Sequence, residues 1–257
     1  MPHVLSLMRK VLCVDWDRRA LRLVVARVGQ GVVSLEDAHS HPVPDDIDVD
    51  DPVAMGGLLA RMLRWHGWRY RRVIVDVARD KAVINRLTLP PTPLDELAAA
   101  VQFQAMRELP FPLEQAAIDY VVTARNSDGL ATEVMLAAMR REALTRLRET
   151  CRVAGLTPTR IGLRPYANLV SVRRLPGLAE QRVLFVDVGP AMTEIDVICG
   201  GVLTFSRAAN VTVPPHAAVD GALADGAAAE AAHAARETAV RDLEVEITRT
   251  LQAYRAT

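Results

Sequence analysis

A duplicated strand ending restricts the fold of this chain more than any other feature. An apolar run that closes on aspartate, VLCVDWD at 11–17, returns as VLFVDVGPAMT at 183–193. Each copy leads through a turn into two further strand-like runs and then a helix, so the chain holds two β-β-β-α blocks. The first block has strands at 11–15, 21–28 and 31–38, turned by Arg18-Arg19 and by residues 29–31. The second has strands at 182–188, 193–199 and 202–206, turned by Gly189-Pro190 and Gly200-Gly201. An aspartate that ends a buried strand before a tight hairpin suits a metal–phosphate group. The hairpin presents backbone N–H groups to phosphate oxygens, and the carboxylate holds Mg²⁺ through water. Gly189 permits close backbone approach, and Thr193 adds a hydroxyl. One such aspartate reads as a turn initiator; two in repeated context make Asp15 and Asp187 the candidate Mg²⁺ holders.

Between the blocks, an Asp/Pro-rich connector at 41–52 precedes an amphipathic helix at 55–65 and an apolar strand at 73–77. A strand at 82–89 stops at Pro90-Pro91. A helix at 94–107 opens at Thr92 or Pro93, with Asp95 and Glu96 in its first turn, and stops at LPFP, 109–112. Strands at 117–124 and 132–139 flank the turn Asn126-Ser127-Asp128-Gly129. A helix at 142–154 ends on Gly155 as its C′ residue, residues 157–163 are extended, and a short helix runs over 164–172. The Ala-rich tract 208–235 reads as a flexible loop, too poor in bulky apolar residues for a lipid-binding helix, and a last helix covers 237–254.

Composition removes several classes. With 31 basic against 31 acidic residues the chain is neutral, which argues against a general nucleic-acid binder. Aromatics at 4% argue against a stacking platform for single strands. Cys13, Cys151 and Cys199 form no CxxC pair and sit in apolar runs, as buried free thiols of a reducing compartment do. The start, MPHVLSLMRK, lacks an apolar core and a cleavage site, so neither a signal peptide nor a membrane span is expected, and the chain reads as cytoplasmic. His3, His39, His41, His66, His216 and His233 lack metal-ligand spacing. Walker A and G-x-S-x-G motifs are absent. The arginines 61, 64, 69, 71 and 72 near Trp65 and Trp68 offer either an anionic-partner surface or a solvated helix end.

DVGPAMTEIDVICGGVLTFSR (187–207) resembles the second phosphate motif of the actin-like ATPase superfamily, in the form found in the PilM family of type IV pilus assembly proteins, down to Phe205 and Arg207. VDWDRRALRLVVARV (14–28) resembles the first phosphate motif. TLPPTPLDELAAAVQFQAMRELPFPLEQAAIDYVV (88–122) is similar to the family's inserted subdomain, and EVMLAAMRREALTRLRETCRVAGLTPTRIGLRPYANL (133–169) to the return from it. The likeness runs in order over roughly residues 10–207 and also touches FtsA and the cytoplasmic domain of GspL.

The resemblance implies an α/β, actin-like (ribonuclease-H-like) fold: mixed sheets flanked by helices, with an inserted β-α-β-β subdomain. Its parts would be subdomain IA over 10–84, the IC-like insertion over 85–140, a return to IA over 141–180, and the start of IIA over 181–257, truncated before that subdomain ends. It implies ATP with Mg²⁺ held by Asp15, Asp187, Gly189 and Thr193. It also implies a cytoplasmic scaffold that binds the PilN-like cytoplasmic peptide of a membrane-anchored pilus protein, associates with the inner membrane through that partner, and self-associates into a ring. The alternatives are an active actin-like Mg-ATPase and the cytoplasmic domain of a type II secretion GspL-like protein. No catalytic residue is identifiable.

The first motif departs from the family. Asp17, Arg18 and Arg19 replace the usual glycine and small residues, so ATP binding is open to loss unless Arg18, Arg19 or Mg²⁺ compensates the Asp17 charge. Uncompensated, two like charges ~4–5 Å apart at an effective dielectric near ~20 repel by about 3–4 kcal/mol. Arg22 stands where the family's motif ends in a basic residue, and it cannot act as a deprotonable base.

Overall fold

The computed structural model describes residues 9–125, 131–214 and 226–256. The N-terminal stretch 1–8, the expected turn Asn126–Gly129, and residues 215–225 of the Ala-rich tract lie outside the described residues. The chain divides into two compact units, Met1–Ser171 and Val172–Thr257.

The first unit opens with an antiparallel meander, β1 (Arg9–Trp16), β2 (Ala20–Gly29) and β3 (Val32–Pro42). Arg18 and Arg19 turn its first hairpin, where the Asp17 N–H donates to the Ala20 carbonyl. Gln30 and Gly31 turn the second with positive φ at both positions, the geometry of a type I′ hairpin. Helix α1 (Pro52–Trp65) then crosses to β4 (Arg72–Val77), which pairs parallel to β1 with Asp15 opposite Asp76. Local chemistry sets both ends of α1. The Asp51 carboxylate accepts the Val53 N–H ahead of Pro52, and Gly67 (φ 67°) ends the helix while the Trp68 N–H reaches back to the Leu63 carbonyl.

A second sheet follows: β5 (Val83–Leu89), α2 (Leu97–Glu108), β6 (Ala116–Arg125) and β7 (Thr132–Arg140), in strand order β5-β7-β6. The chain returns through α3 (Arg141–Val153) to β8 (Thr157–Leu163), which completes the first sheet in the order β3-β2-β1-β4-β8. Gly155 caps α3 in the expected way, with φ 75° and the Leu156 N–H on the Cys151 carbonyl. Helix α4 (Arg164–Arg174) leads to the second unit, the meander β9 (Arg182–Val188), β10 (Thr193–Cys199) and β11 (Val202–Ala209) with helix α5 (Gly226–Arg255).

Two apolar cores hold the first unit. In one, Met55, Leu58, Leu59 and Leu63 of α1 pack on Leu12, Val14, Leu21, Leu23, Val73 and Val75 of the five-stranded sheet. Each such side chain contributes roughly 1.5–3 kcal/mol by leaving water. In the other, Leu97, Val101 and Ala105 of α2 cover Leu87, Val134 and Leu136. Helices α1 and α3 touch backbone to backbone: a Cβ on Gly56 would lie 2.7 Å from the Thr150 carbonyl oxygen.

Four local expectations change. Strand β3 runs to Pro42, so His39 and His41 are strand residues paired with Leu23 and Leu21. Helix α2 starts at Leu97, because residues 94–96 form a separate turn in which the Glu96 N–H bonds the Pro93 carbonyl; Asp95 and Glu96 therefore precede the helix. Residues 226–235 belong to α5 and not to a loop, since alanine, the strongest helix former, dominates them. Cys151 is buried, and burial pushes its thiol up to about 11, whereas Cys13 and Cys199 are half-buried.

Candidate functional site

The β1–β2 hairpin is filled by its own side chains. Asp17 Oδ1 accepts the backbone N–H of Arg19 at 2.7 Å and of Ala20 at 2.9 Å. Its Oδ2 takes the Arg22 guanidinium at 2.6 Å. Arg22 also reaches Asp15 Oδ2 at 2.9 Å, and Arg164, from the start of α4, holds Asp15 Oδ1 at 2.7 Å. Burial pushes the Asp17 carboxyl upward, but the Arg19 N–H, Arg22 and the Ala20 N–H outweigh it and hold the group below its ordinary value. The compensating cation is thus Arg22, while Arg19 pairs with Asp45 and Arg18 is exposed.

Asp76 completes this cluster from β4. Burial, with Asp15 alongside, raises its carboxyl above the ordinary range, and Arg164 offsets this only in part. Gly162 of β8 makes room for it, since a Cβ there would clash with Asp76 Oδ1. Sequence reasoning missed Asp76 and Arg164. The available signal was the run RVIVDV at 72–77, which ends a strand on aspartate as VLCVD does.

The second copy of the motif is built differently. Asp187 is half-buried at the end of β9, opposite Glu194 of β10. The Gly189 N–H bonds the Met192 carbonyl at 3.0 Å, and a Cβ on Gly189 would come within 2.8 Å of that oxygen, so the turn itself requires glycine. Thr193 is fully buried, and its hydroxyl donates to the Val211 carbonyl at 2.7 Å.

Most of these donors are already engaged within the chain. Both oxygens of Asp15 are committed to guanidinium groups, two N–H groups of the first hairpin are taken by Asp17, and the Thr193 hydroxyl is engaged elsewhere. Among the described residues, no group of three His, Cys, Asp or Glu side chains is placed to hold a metal ion.

A second candidate site lies on the other side of the inserted sheet. A groove of about 930 Å³ runs between β6 and β8, floored by β7 and flanked by α3 and Tyr166. Residues 117–121 and 156–163 line it without a break. Consecutive lining is what an edge strand provides, and among the described residues both strands are edges: β6 pairs only with β7, and β8 only with β4. Ile118 and Tyr120 pack toward the α2 core, so by the alternation of a strand Ala117, Asp119 and Val121 face the groove, with Ala137 and Met139 of β7. Arg148 and Arg160 supply positive charge, whereas Arg152 is held by Glu149 through two hydrogen bonds. Burial and the neighbouring Asp119 push the Tyr166 phenol up to about 12, so it stays a neutral hydroxyl at physiological pH.

A third grouping was invisible in sequence. His39 stacks on His66 at 3.9 Å between ring centres, His41 Nε2 lies 2.8 Å from His66 Nε2, and Trp68 borders them. Burial, with His39 and His41 close by, holds His66 below its ordinary value. The arginines 61, 64, 69, 71 and 72 are all exposed, and Trp65 is 74% exposed.

The mixed sheets, flanking helices and inserted three-stranded sheet make this an actin-like fold. Residues 13–212 match the profile of the type IV pilus assembly protein PilM, and the chain belongs to that family. It is similar to the structure described as the PilM-PilN type IV pilus biogenesis complex, with a TM-score of 0.79 at 25% identity over 96% of this chain and 78% of the other. Two more distant structures share the fold alone. The cytoplasmic domain of EpsL, an inner membrane component of the type II secretion system of Vibrio cholerae, gives a TM-score of 0.55 at 12% identity over 79% of this chain and 71% of that one. The ethanolamine utilization protein EutJ from Carboxydothermus hydrogenoformans gives 0.51 at 12% identity over 96% and 72%.

Proposed function

We propose that this chain is a cytoplasmic scaffold of the type IV pilus assembly machinery. It takes the cytoplasmic tail of a membrane-anchored, PilN-type protein into the groove between β6 and β8, and that tail ties it to the inner membrane. The observation that carries this reading is the pair of strand edges lining one apolar groove. Unpaired N–H and C=O groups along an edge recruit an extended peptide by adding a strand, while alternate side chains enter the groove. The likeness to a solved PilM-PilN complex supports a partner of this kind. Arg148 and Arg160 favour a tail with an acidic residue beside its apolar ones. No helix among the described residues is long and apolar enough to cross a membrane, so a membrane-anchored partner would supply the attachment.

Calorimetric titration with a synthetic tail of the PilN-type protein from the same genome tests the reading. Saturable one-to-one binding is expected, lost when Ala137→Trp fills the groove and retained by a surface control such as Arg18→Ala. Equal affinity for wild type and Ala137→Trp would remove the groove from the proposal.

A further inference from the structure

We infer that Asp17 is a built-in substitute for a phosphate, and that it closes the first half of the nucleotide site to Mg·ATP. A phosphate seat in a hairpin offers an oxyanion two or more converging backbone N–H groups and a guanidinium or metal opposite. Asp17 receives this set: the N–H groups of Arg19 and Ala20 on one oxygen and Arg22 on the other, in a side chain only 9% exposed. The second terminal nitrogen of Arg22 is on Asp15, whose remaining oxygen is on Arg164.

Charge points the same way. Three carboxylates, from Asp15, Asp17 and Asp76, share the two guanidinium groups of Arg22 and Arg164. Neither guanidinium of this cluster is left over for a triphosphate, the other two arginines of the hairpin being the exposed Arg18 and Arg19, and an entering phosphate would meet Asp17 at contact distance. The hairpin is therefore ordered in its anion-loaded form by the chain itself. Whatever this protein does, it does without exchanging nucleotide at this hairpin, in contrast to actin-like proteins that carry glycine and small hydroxyl residues here.

The test is titration of the full chain with Mg·ATP, and separately with inorganic phosphate, followed by calorimetry and by the ligand-induced shift in melting temperature. Wild type is expected to show no saturation below about 1 mM, and Asp17→Gly to bind phosphate or Mg·ATP at least about tenfold more tightly, as relief of one contact repulsion requires. The gain should vanish in Asp17→Gly/Arg22→Ala, which lacks the seat's cation. Asp17→Ser, whose hydroxyl preserves a turn hydrogen bond, serves where the glycine variant does not fold. Submillimolar binding of Mg·ATP by wild type overturns the inference, as does a folded Asp17→Gly or Asp17→Ser protein that binds no better than wild type.

Discussion

Two regions of the first unit contrast in how they treat unsatisfied groups. At the β1–β2 hairpin, polar atoms that could serve a ligand are spent internally: Asp17 on two backbone N–H groups, Arg22 on two carboxylates, Arg164 on a third oxygen. Along the groove, two strand edges and an apolar floor face each other with nothing of the described residues between them. Charge that is matched at short range stabilises a fold and offers little to a partner, whereas an open edge offers a partner a row of hydrogen bonds. The contrast teaches that the motif which drew attention in the sequence is the one the molecule has closed.

Four substitutions test that contrast, in falling order of effect. Arg164→Ala strips one oxygen of Asp15 and leaves Asp15 and Asp76 adjacent with one fewer cation, which should cost about 3 kcal/mol in denaturant unfolding. Ala137→Trp should leave unfolding nearly unchanged yet weaken tail binding by about 100-fold, or roughly 2.7 kcal/mol. If it unfolds the protein instead, the groove is part of the packed core and the contrast fails.

Asp17→Asn keeps the turn but removes the charge, and about 1–2 kcal/mol of stability at neutral pH should go with it. The Asp17 carboxyl lies below its ordinary 3.8 in the folded chain. Its contribution is therefore complete above 3.8 and lost as pH falls through the folded value, so wild type and variant should converge in acid. Asp76→Asn should act in the opposite sense and be the smallest, a gain of about 0.5–1 kcal/mol near neutral pH. The Asp76 carboxyl is raised above 3.8, so wild-type stability falls as pH climbs from 3.8 through the raised value. The advantage of the variant should grow over that window in pH-dependent melting curves.

Much of this architecture was legible in the sequence because it is local. Alternation and apolar runs gave the strands of both meanders, Gly155 marked the end of α3 and Gly200-Gly201 the last turn of the second meander, and the aspartate-ended strands marked the repeat. What was not legible depends on pairing at long range. Asp76 meets Asp15 only because β4 pairs parallel to β1, and Arg164 reaches Asp15 from 149 positions away. The groove needs β6 and β8 both to be edges, a fact of sheet order that no window of sequence contains. Local reasoning also failed where two signals competed, as in 226–235, where helix-forming alanines outweigh the interrupting glycines nearby.

The bare edges of β6 and β8 have a bearing on how cells must make this protein. An unpaired strand beside exposed Val121 and Val122 accepts whatever extended segment arrives first, including another copy of itself. Pro158 removes one hydrogen-bond donor from β8, and Asp119 puts a charge on β6, which only partly blunts that tendency. Supply therefore becomes a matter of stoichiometry: overproduced alone, the chain should drift into aggregates, and co-production of its tail-bearing partner should keep it dispersed.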